Sequence, residues 1–333
     1  MPRSEFNPLV LSGDALTRGA QYGETCSSLI IDTIEVYRRL FESRVEAAPA
    51  LAERFRERIQ AFAPDYVIEM DAIARSANVD RWWIYALNAR TEILNLDIPE
   101  CTSVGDSRSC TLAQTWDWMP ELEELLIEMR LRRPDGLELL MLVEPGQIGK
   151  IGLNSAGVGV ALNILFCPLK QIGIPVHVLM RSILDCASAD AALDVVTKAA
   201  PGRASNLTVA DASGACWHVE FADDACHITH QQGDALVHTN HYLSMQEPAN
   251  GINLDGSRCR QTTATRLLAE GMDASGIVSD TQNGDDAICA PYHEMPPIGQ
   301  TGTIFSAVMK LDDRTLRYRR GNNPASAWIH RTV

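Results

Sequence analysis

The chain has 333 residues, 46% of them hydrophobic and 22% charged, an ordinary balance for a folded protein of one large domain or two smaller ones. A formal net charge of −14, with Lys and Arg scattered rather than clustered, excludes the basic surface that nucleic-acid binding requires. No apolar run approaches the ~20 residues that span a bilayer, and the opening MPRSEFNPLVLSGD lacks the apolar core of a secretory signal, so a cytoplasmic protein with no membrane partner is expected.

In chain order, the first hundred residues read as helical. Leu29, Ile30, Thr33, Val36, Tyr37 and Leu40 fall at spacings of three and four and make one apolar face. A second helix starts near Pro64 and ends near Asn78, and a third opens with Asp80 as N-cap. After Pro99 the texture changes to strands. CTSVGD and CTLAQTWDW flank the polar turn DSRS, and the next hairpin turns at Pro134-Asp135-Gly136. A further hairpin turns at Asn154-Ser155-Ala156-Gly157. Two helices follow, PVHVLMRSILDCA and one capped by Ser188, then four strands with turns at Ser213-Gly214 and Gln232-Gly233-Asp234. A helix ending at Gly271 and a last hairpin at Asp312-Asp313 close the chain. Strands joined by hairpins predict antiparallel sheets whose outer faces the helices must cover. The expected fold class is therefore α+β, in four αββα layers. The chain has no internal repeat and no low-complexity linker, which predicts one globular unit.

Nine cysteines without a CxxC pair predict reduced thiols. Most lie in apolar stretches and read as small core residues. Cys101 differs, because it stands where the helical segment gives way to strands. A thiol of pKa ~8.5 needs a base to act as a nucleophile, and no Cys-His signature of known proteases stands beside it. A cut before Cys101 would supply one, since a terminal α-amine titrates at ~7.7–8.0. Asn163, at the end of the strand after NSAG, is a candidate pocket residue. GLNSAGVGV has neither Walker nor Rossmann spacing, so a nucleotide site is not expected. His227 with His230, and His238 with His241, suggest a rival metal site. Residues three apart on a strand face opposite sides, however, so no metal is assigned.

Cys101-Thr102-Ser103, Trp116-Asp117-Trp118, IGKIGLNSAGVGVALNIL and HTNHY at 238–242, with TRGAQYGE near the start, together resemble one family. It is the acyl-coenzyme A:6-aminopenicillanic acid acyltransferase family, also called the C45 autoproteolytic peptidase group, and the resemblance spans nearly the whole chain. It implies the αββα N-terminal nucleophile hydrolase fold and a precursor that cuts itself between Glu100 and Cys101. The α fragment, 1–100, and the β fragment, 101–333, would stay associated. By the same resemblance Asp117 orients the new amine of Cys101, and Asn240 helps hold the oxyanion. Thr102 and Trp116, in the same motifs, are candidate pocket residues. Two positions depart from the family pattern. Gln300 stands where the penicillin-forming fungal members carry arginine, and Glu100 replaces the glycine before their nucleophile. Both weigh against the penicillin reaction more than against self-cleaving amide chemistry.

The sequence thus predicts a self-cleaving amidohydrolase or acyltransferase, acting on a small amide or acyl thioester through a Cys101 acyl-enzyme without a cofactor. Two rivals remain: an uncut αββα protein that binds small molecules, kept alive by Glu100, and a metal-dependent amidohydrolase. Substrate identity and oligomeric state, a homo-oligomer included, stay open.

Overall fold

The apolar face that starts at Leu29 is the buried side of the longest helix, and the remaining elements follow from equally local signals. A computed structural model describes residues 5–41, 46–94, 101–166, 172–199, 201–222, 225–231, 235–247 and 253–333. Strand β1 (Asn7–Ser12) precedes helices α1 (Ala15–Phe41), α2 (Ala48–Phe62), α3 (Pro64–Ala77), α4 (Arg81–Asn88) and α5 (Arg90–Leu94). Next come β2 (Cys101–Asp106), β3 (Thr111–Trp118), the short α6 (Pro120–Glu123), β4 (Ile127–Arg132), β5 (Glu138–Val143), β6 (Ile151–Asn154) and β7 (Gly159–Ile164). Helices α7 (Val176–Leu184) and α8 (Ala189–Lys198) lead to β8 (Ser205–Ala210), β9 (Cys216–Ala222), β10 (Ala225–Gln231) and β11 (Ala235–His238). The chain closes with α9 (Asp255–Ala269), α10 (Ala274–Ile277), β12 (His293–Met295), β13 (Gly299–Lys310), β14 (Thr315–Arg320) and β15 (Ile329–Thr332).

The strands form two sheets. One runs β1-β4-β5-β6-β7-β8-β9-β10; the other runs β11-β2-β3-β13-β14-β15, with β12 beside β13. They face each other where β2 and β3 lie over β7 and β8. Helices α7 and α8 cover the first sheet at β6 to β8, while α9 and α10 pack against β11 and β3 of the second. This is the four-layer αββα arrangement of an α+β protein. Among the described residues, no helix is long and apolar enough to cross a membrane.

Several local readings hold in detail. Asn78 ends α3 in the left-handed region (φ 54°), and the Ser188 hydroxyl accepts the Ala191 N–H at the start of α8. Asp80 precedes α4, but its side chain makes no capping bond. One reading needs correction. The first hundred residues are not all helical, because β1 pairs with β4, and does so in parallel. Its six residues alternate buried Leu9 and Leu11 with Val10, which is 59% exposed, and so short a period-2 signal is easily lost beside long helices. The four strands expected between 204 and 240 are present and divide between the two sheets. β8, β9 and β10 make hairpins in the first sheet, whereas β11 pairs with β2 in the second. The expected turn at 232–234 lies outside the described residues.

The segment TRGAQYGE has a packing explanation. A Cβ on Gly19 would stand 2.2 Å from the Glu69 carbonyl oxygen, and one on Gly23 would stand 2.5 Å from that of Ile73. The two glycines thus let α1 lie directly on the backbone of α3. Arg18 meets the buried Glu69 carboxylate at 2.7 Å, and Arg181 of α7 meets it at 3.1 Å from the other side. Replacing Gly19 with Ala is expected to force the helices apart and cost about 1–3 kcal/mol, more than its gain in helix propensity offsets. A lowered urea midpoint at unchanged slope is the result to look for; an unchanged midpoint would contradict the close packing.

Candidate active site

Cys101 is the first residue of β2, 7% exposed, and paired in register with Trp116 of β3. Its backbone N–H donates to Asn240 Oδ1 at 2.8 Å, and its carbonyl accepts from Asn163 Nδ2 at 3.1 Å. Asn240 follows β11 and is itself fixed from three sides. Its Nδ2 donates to the Ile164 carbonyl at 3.0 Å, its backbone N–H donates to Ser257 Oγ at 2.8 Å, and its Oδ1 also accepts from Arg260 Nη2 at 2.9 Å. Ser257 and Arg260 lie on α9, so the outer helix of the second sheet sets the orientation of this amide.

Cys101, Trp116, Asp117 and Asn240 line one cavity of about 50 Å³, together with Lys150 and His177. Arg90, Thr91 and Leu94 of α5 close it from the helical side. Asp117, opposite Thr303 in register, accepts from that residue's hydroxyl at 2.5 Å. Burial pushes its carboxyl up to about 7, against the pull of Arg260 and the Thr303 bond.

The opposite wall is cationic. Arg90 pairs with Glu144 at 2.6 Å and stacks 4.9 Å from the Trp118 ring centre. Lys150 Nζ sits 3.6 Å above the Trp116 ring centre and 3.8 Å from Glu144. Burial, then repulsion by Arg90, holds the Lys150 ammonium well below its ordinary range; Glu144 and Cys101 pull the other way. His177 is fully buried and pushed well down by burial, with Lys150 and Arg90 adding to it, which keeps its ring neutral. Its Nδ1 has no hydrogen-bond partner, and its Nε2 lies 3.5 Å from the Thr91 hydroxyl.

The other residues singled out in the sequence lie elsewhere. Asn163 sits behind Cys101, where it accepts from Ser103 Oγ at 2.6 Å between the two sheets. Thr102 is buried, its N–H donates to Thr115 Oγ1 at 3.3 Å, and its hydroxyl has no partner. Gln300 is exposed and donates to Glu294 on the β12–β13 ladder at 3.1 Å, away from the cavity lining. Glu100 lies outside the described residues. His238 is buried, with Nε2 2.8 Å from Glu220 and Nδ1 2.8 Å from the Thr239 carbonyl. His241 contacts Ser257 Oγ at 2.8 Å. His227 and His230 are exposed on β10 at the edge of the other sheet. No group of three or more His, Cys, Asp or Glu suited to a metal ion occurs among the described residues.

Arg90, Lys150, His177 and Arg260 escaped the sequence reading. The lysine in IGKIG, one charge inside an apolar run, was the available signal; Arg260 looks like any helix-surface cation and gave none.

Residues 104–325 match the family model described as acyl-coenzyme A:6-aminopenicillanic acid acyl-transferase. Over 331 residues the chain is 28% identical to the 40 kDa form of acyl-coenzyme A:6-aminopenicillanic-acid-acyltransferase of Emericella nidulans, covering 93% of this chain and 92% of that protein. Two solved structures overlap more loosely. The penicillin V acylase of Agrobacterium tumefaciens has a TM-score of 0.47 at 14% identity, over 69% of this chain and 85% of that one. The Caenorhabditis elegans ortholog of N-acylethanolamine-hydrolyzing acid amidase has a TM-score of 0.45 at 16% identity, over 64% and 93%.

The raised Asp117 carboxyl has a consequence for stability. A group at about 7 when folded and near its ordinary 3.8 when unfolded binds its proton more tightly in the native state. Stability from this source is complete below 3.8 and is lost as pH rises towards 7, by about 1.4 kcal/mol per unit. Asp117→Asn is therefore expected to gain ground on the wild type by a few kcal/mol between about pH 4 and about pH 7.5. Thermal unfolding of both proteins across that range checks this, and parallel pH curves would count against it.

Proposed function

The chain belongs to the acyl-coenzyme A:6-aminopenicillanic acid acyl-transferase family, and from that premise we propose that it is a self-cleaving N-terminal nucleophile enzyme that transfers or hydrolyses a small acyl group through Cys101. The observation that carries the reading is the bond from the Cys101 backbone nitrogen to Asn240 Oδ1, made inside a cavity that Asp117 shares. A cut between Glu100 and Cys101 turns that nitrogen into an amine already held in place. With a pKa near ~8 it takes the thiol proton, and Sγ attacks the carbonyl of an amide or acyl thioester. Asn240 has two Nδ2 protons, of which Ile164 takes one, leaving the other for the developing oxyanion. Asp117 supplies a carboxylate in the same cavity to steady the amine once it is charged. Arg260 is a positioning residue that fixes Asn240 and offsets the charge of Asp117. Water or an acceptor amine then resolves the acyl-enzyme.

The contacts also explain how the fragments 1–100 and 101–333 stay together as one enzyme. Glu69, itself paired with Arg18, reaches Arg181, Arg90 reaches Glu144, and the Trp118 indole donates to Tyr37 at 3.0 Å. Arg90, Thr91 and Leu94 would remain as a wall of the substrate cavity.

Intact-mass analysis of the wild type is expected to give two fragments meeting between Glu100 and Cys101, and Cys101→Ala a single uncut mass. A wild type that stays whole would move the reading to a small-molecule binding protein. In the processed enzyme, Asn240→Ala is expected to lower kcat by about 10²–10³ on a small N-acyl amide, with less effect on KM. Equal activity would remove Asn240 from the oxyanion site.

A further inference from the structure

The amine base of the proposed mechanism exists only after the chain has been cut, so the first step, on the chain itself, requires a different proton acceptor. We propose that Lys150 is that acceptor: its amine takes the Cys101 thiol proton in the uncut precursor. The inference rests on the self-cleavage reading.

The geometry brings both groups to one place. Cys101 pairs with Trp116 across the first hairpin, and Lys150 Nζ lies 3.6 Å above that same ring. Lys150 and Cys101 line the same cavity of about 50 Å³. The charged and titratable groups facing the lysine are Glu144 beyond β5, Arg90 of α5, His177 of α7 and Cys101 of β2. Glu144 is already shared with Arg90 at 2.6 Å and with the Tyr37 hydroxyl at 2.5 Å, so it compensates a second cation poorly. Burial and Arg90 accordingly push the lysine towards its neutral form, and a neutral amine is what a base must be. Asp117 lines the cavity as well, but its carboxyl accepts from Thr303 and feels the Arg260 charge.

The step balances without a further reagent except water. The Cys101 S–H proton passes to Lys150 Nζ, and the thiolate bonds to the Glu100 carbonyl carbon. As the Glu100–Cys101 C–N bond breaks, the Lys150 ammonium returns its proton to the Cys101 nitrogen. The resulting thioester takes up one water and yields the Glu100 carboxyl group and the Cys101 thiol, now beside a terminal amine. From then on that amine is the nearer base.

The test follows self-cleavage of full-length chains made by cell-free translation, as fragment formation with time over about pH 5.5–9.5, corrected for the folded fraction by circular dichroism. Wild type, Lys150→Met and Lys150→Arg are compared; the last places a fixed charge there and accepts no proton near neutrality. Both variants are expected to cleave about 10²–10⁴ times more slowly near pH 7. Their rates should climb about tenfold per pH unit as hydroxide replaces the lost base, while the wild type has reached a plateau by neutrality. Wild-type rates and a wild-type profile in either variant would overturn the role of Lys150 and leave the self-cleavage reading standing. A wild-type chain that never cleaves would overturn both.

Discussion

One carboxylate, Glu144, carries the organisation of the cavity. It is 1% exposed and meets groups from three parts of the chain: the Tyr37 hydroxyl of α1, the Arg90 guanidinium of α5 and the Lys150 ammonium just before β6. Burying a guanidinium and a lysine around one anion is costly, and aromatic faces offset part of that cost. Arg90 lies against Trp118 and Tyr37, and Lys150 lies on Trp116. Truncating such a carboxylate leaves the buried Arg90 charge without its closest counter-charge, a loss of about 3–5 kcal/mol. The helical wall, the first sheet and the ring opposite Cys101 thus take their positions from a single group.

The nucleophile end is held differently, by neutral polar groups wedged between the sheets. Ser103, Asn163, Asn206 and Thr208 form a closed set of hydrogen bonds of 2.6–3.2 Å, and Asn163 extends it to the Cys101 carbonyl. Such a network is stabilising in a low-dielectric interior when its members are paired, and it admits one register. It therefore fixes the β2 backbone immediately after the point of the proposed cut. Asn240, braced by α9, holds the other backbone group of the same residue. Cys101 is gripped at both its N–H and its C=O while its side chain stays in the cavity, an arrangement that suits the proposed cut before it.

How much of this was legible in the sequence depended on range. Turns and caps declare themselves locally, so Asn78, Ser188 and Gly136 were readable, as were the alternating strands that imply two layered sheets. The partners of a strand do not declare themselves. The transfer of β11 to the second sheet, and the parallel pairing of β1, follow from contacts more than a hundred residues apart. The same limit applies at the site. Cys101, Asp117 and Asn240 stood out through motifs, but what surrounds them came from helices: Arg90 on α5, His177 on α7 and Arg260 on α9. Each reads as an ordinary polar residue of an amphipathic helix. Gln300 shows the converse error of range, since the strand was correctly placed while the residue lies at its exposed end.

The cavity combines an acid and a base displaced in opposite directions. Burial raises Asp117 to about 7 and drives Lys150 well down, so each is pushed towards its neutral form. Two groups so displaced can exchange a proton with a thiol at little cost, whereas an ordinary carboxylate or ammonium is locked in one state. Arg260 beside Asp117 and Glu144 beside Lys150 set the limits of that displacement, and both are held by elements outside the two central strands. Creating an amine at Cys101 would add a positive charge between them. That charge favours the ionised form of Asp117 and disfavours protonation of Lys150, since like charges repel and opposite charges attract across a dry cavity. On this electrostatic argument the proposed cut before Cys101 would transfer the proton-handling role from the lysine to the terminal amine and its aspartate.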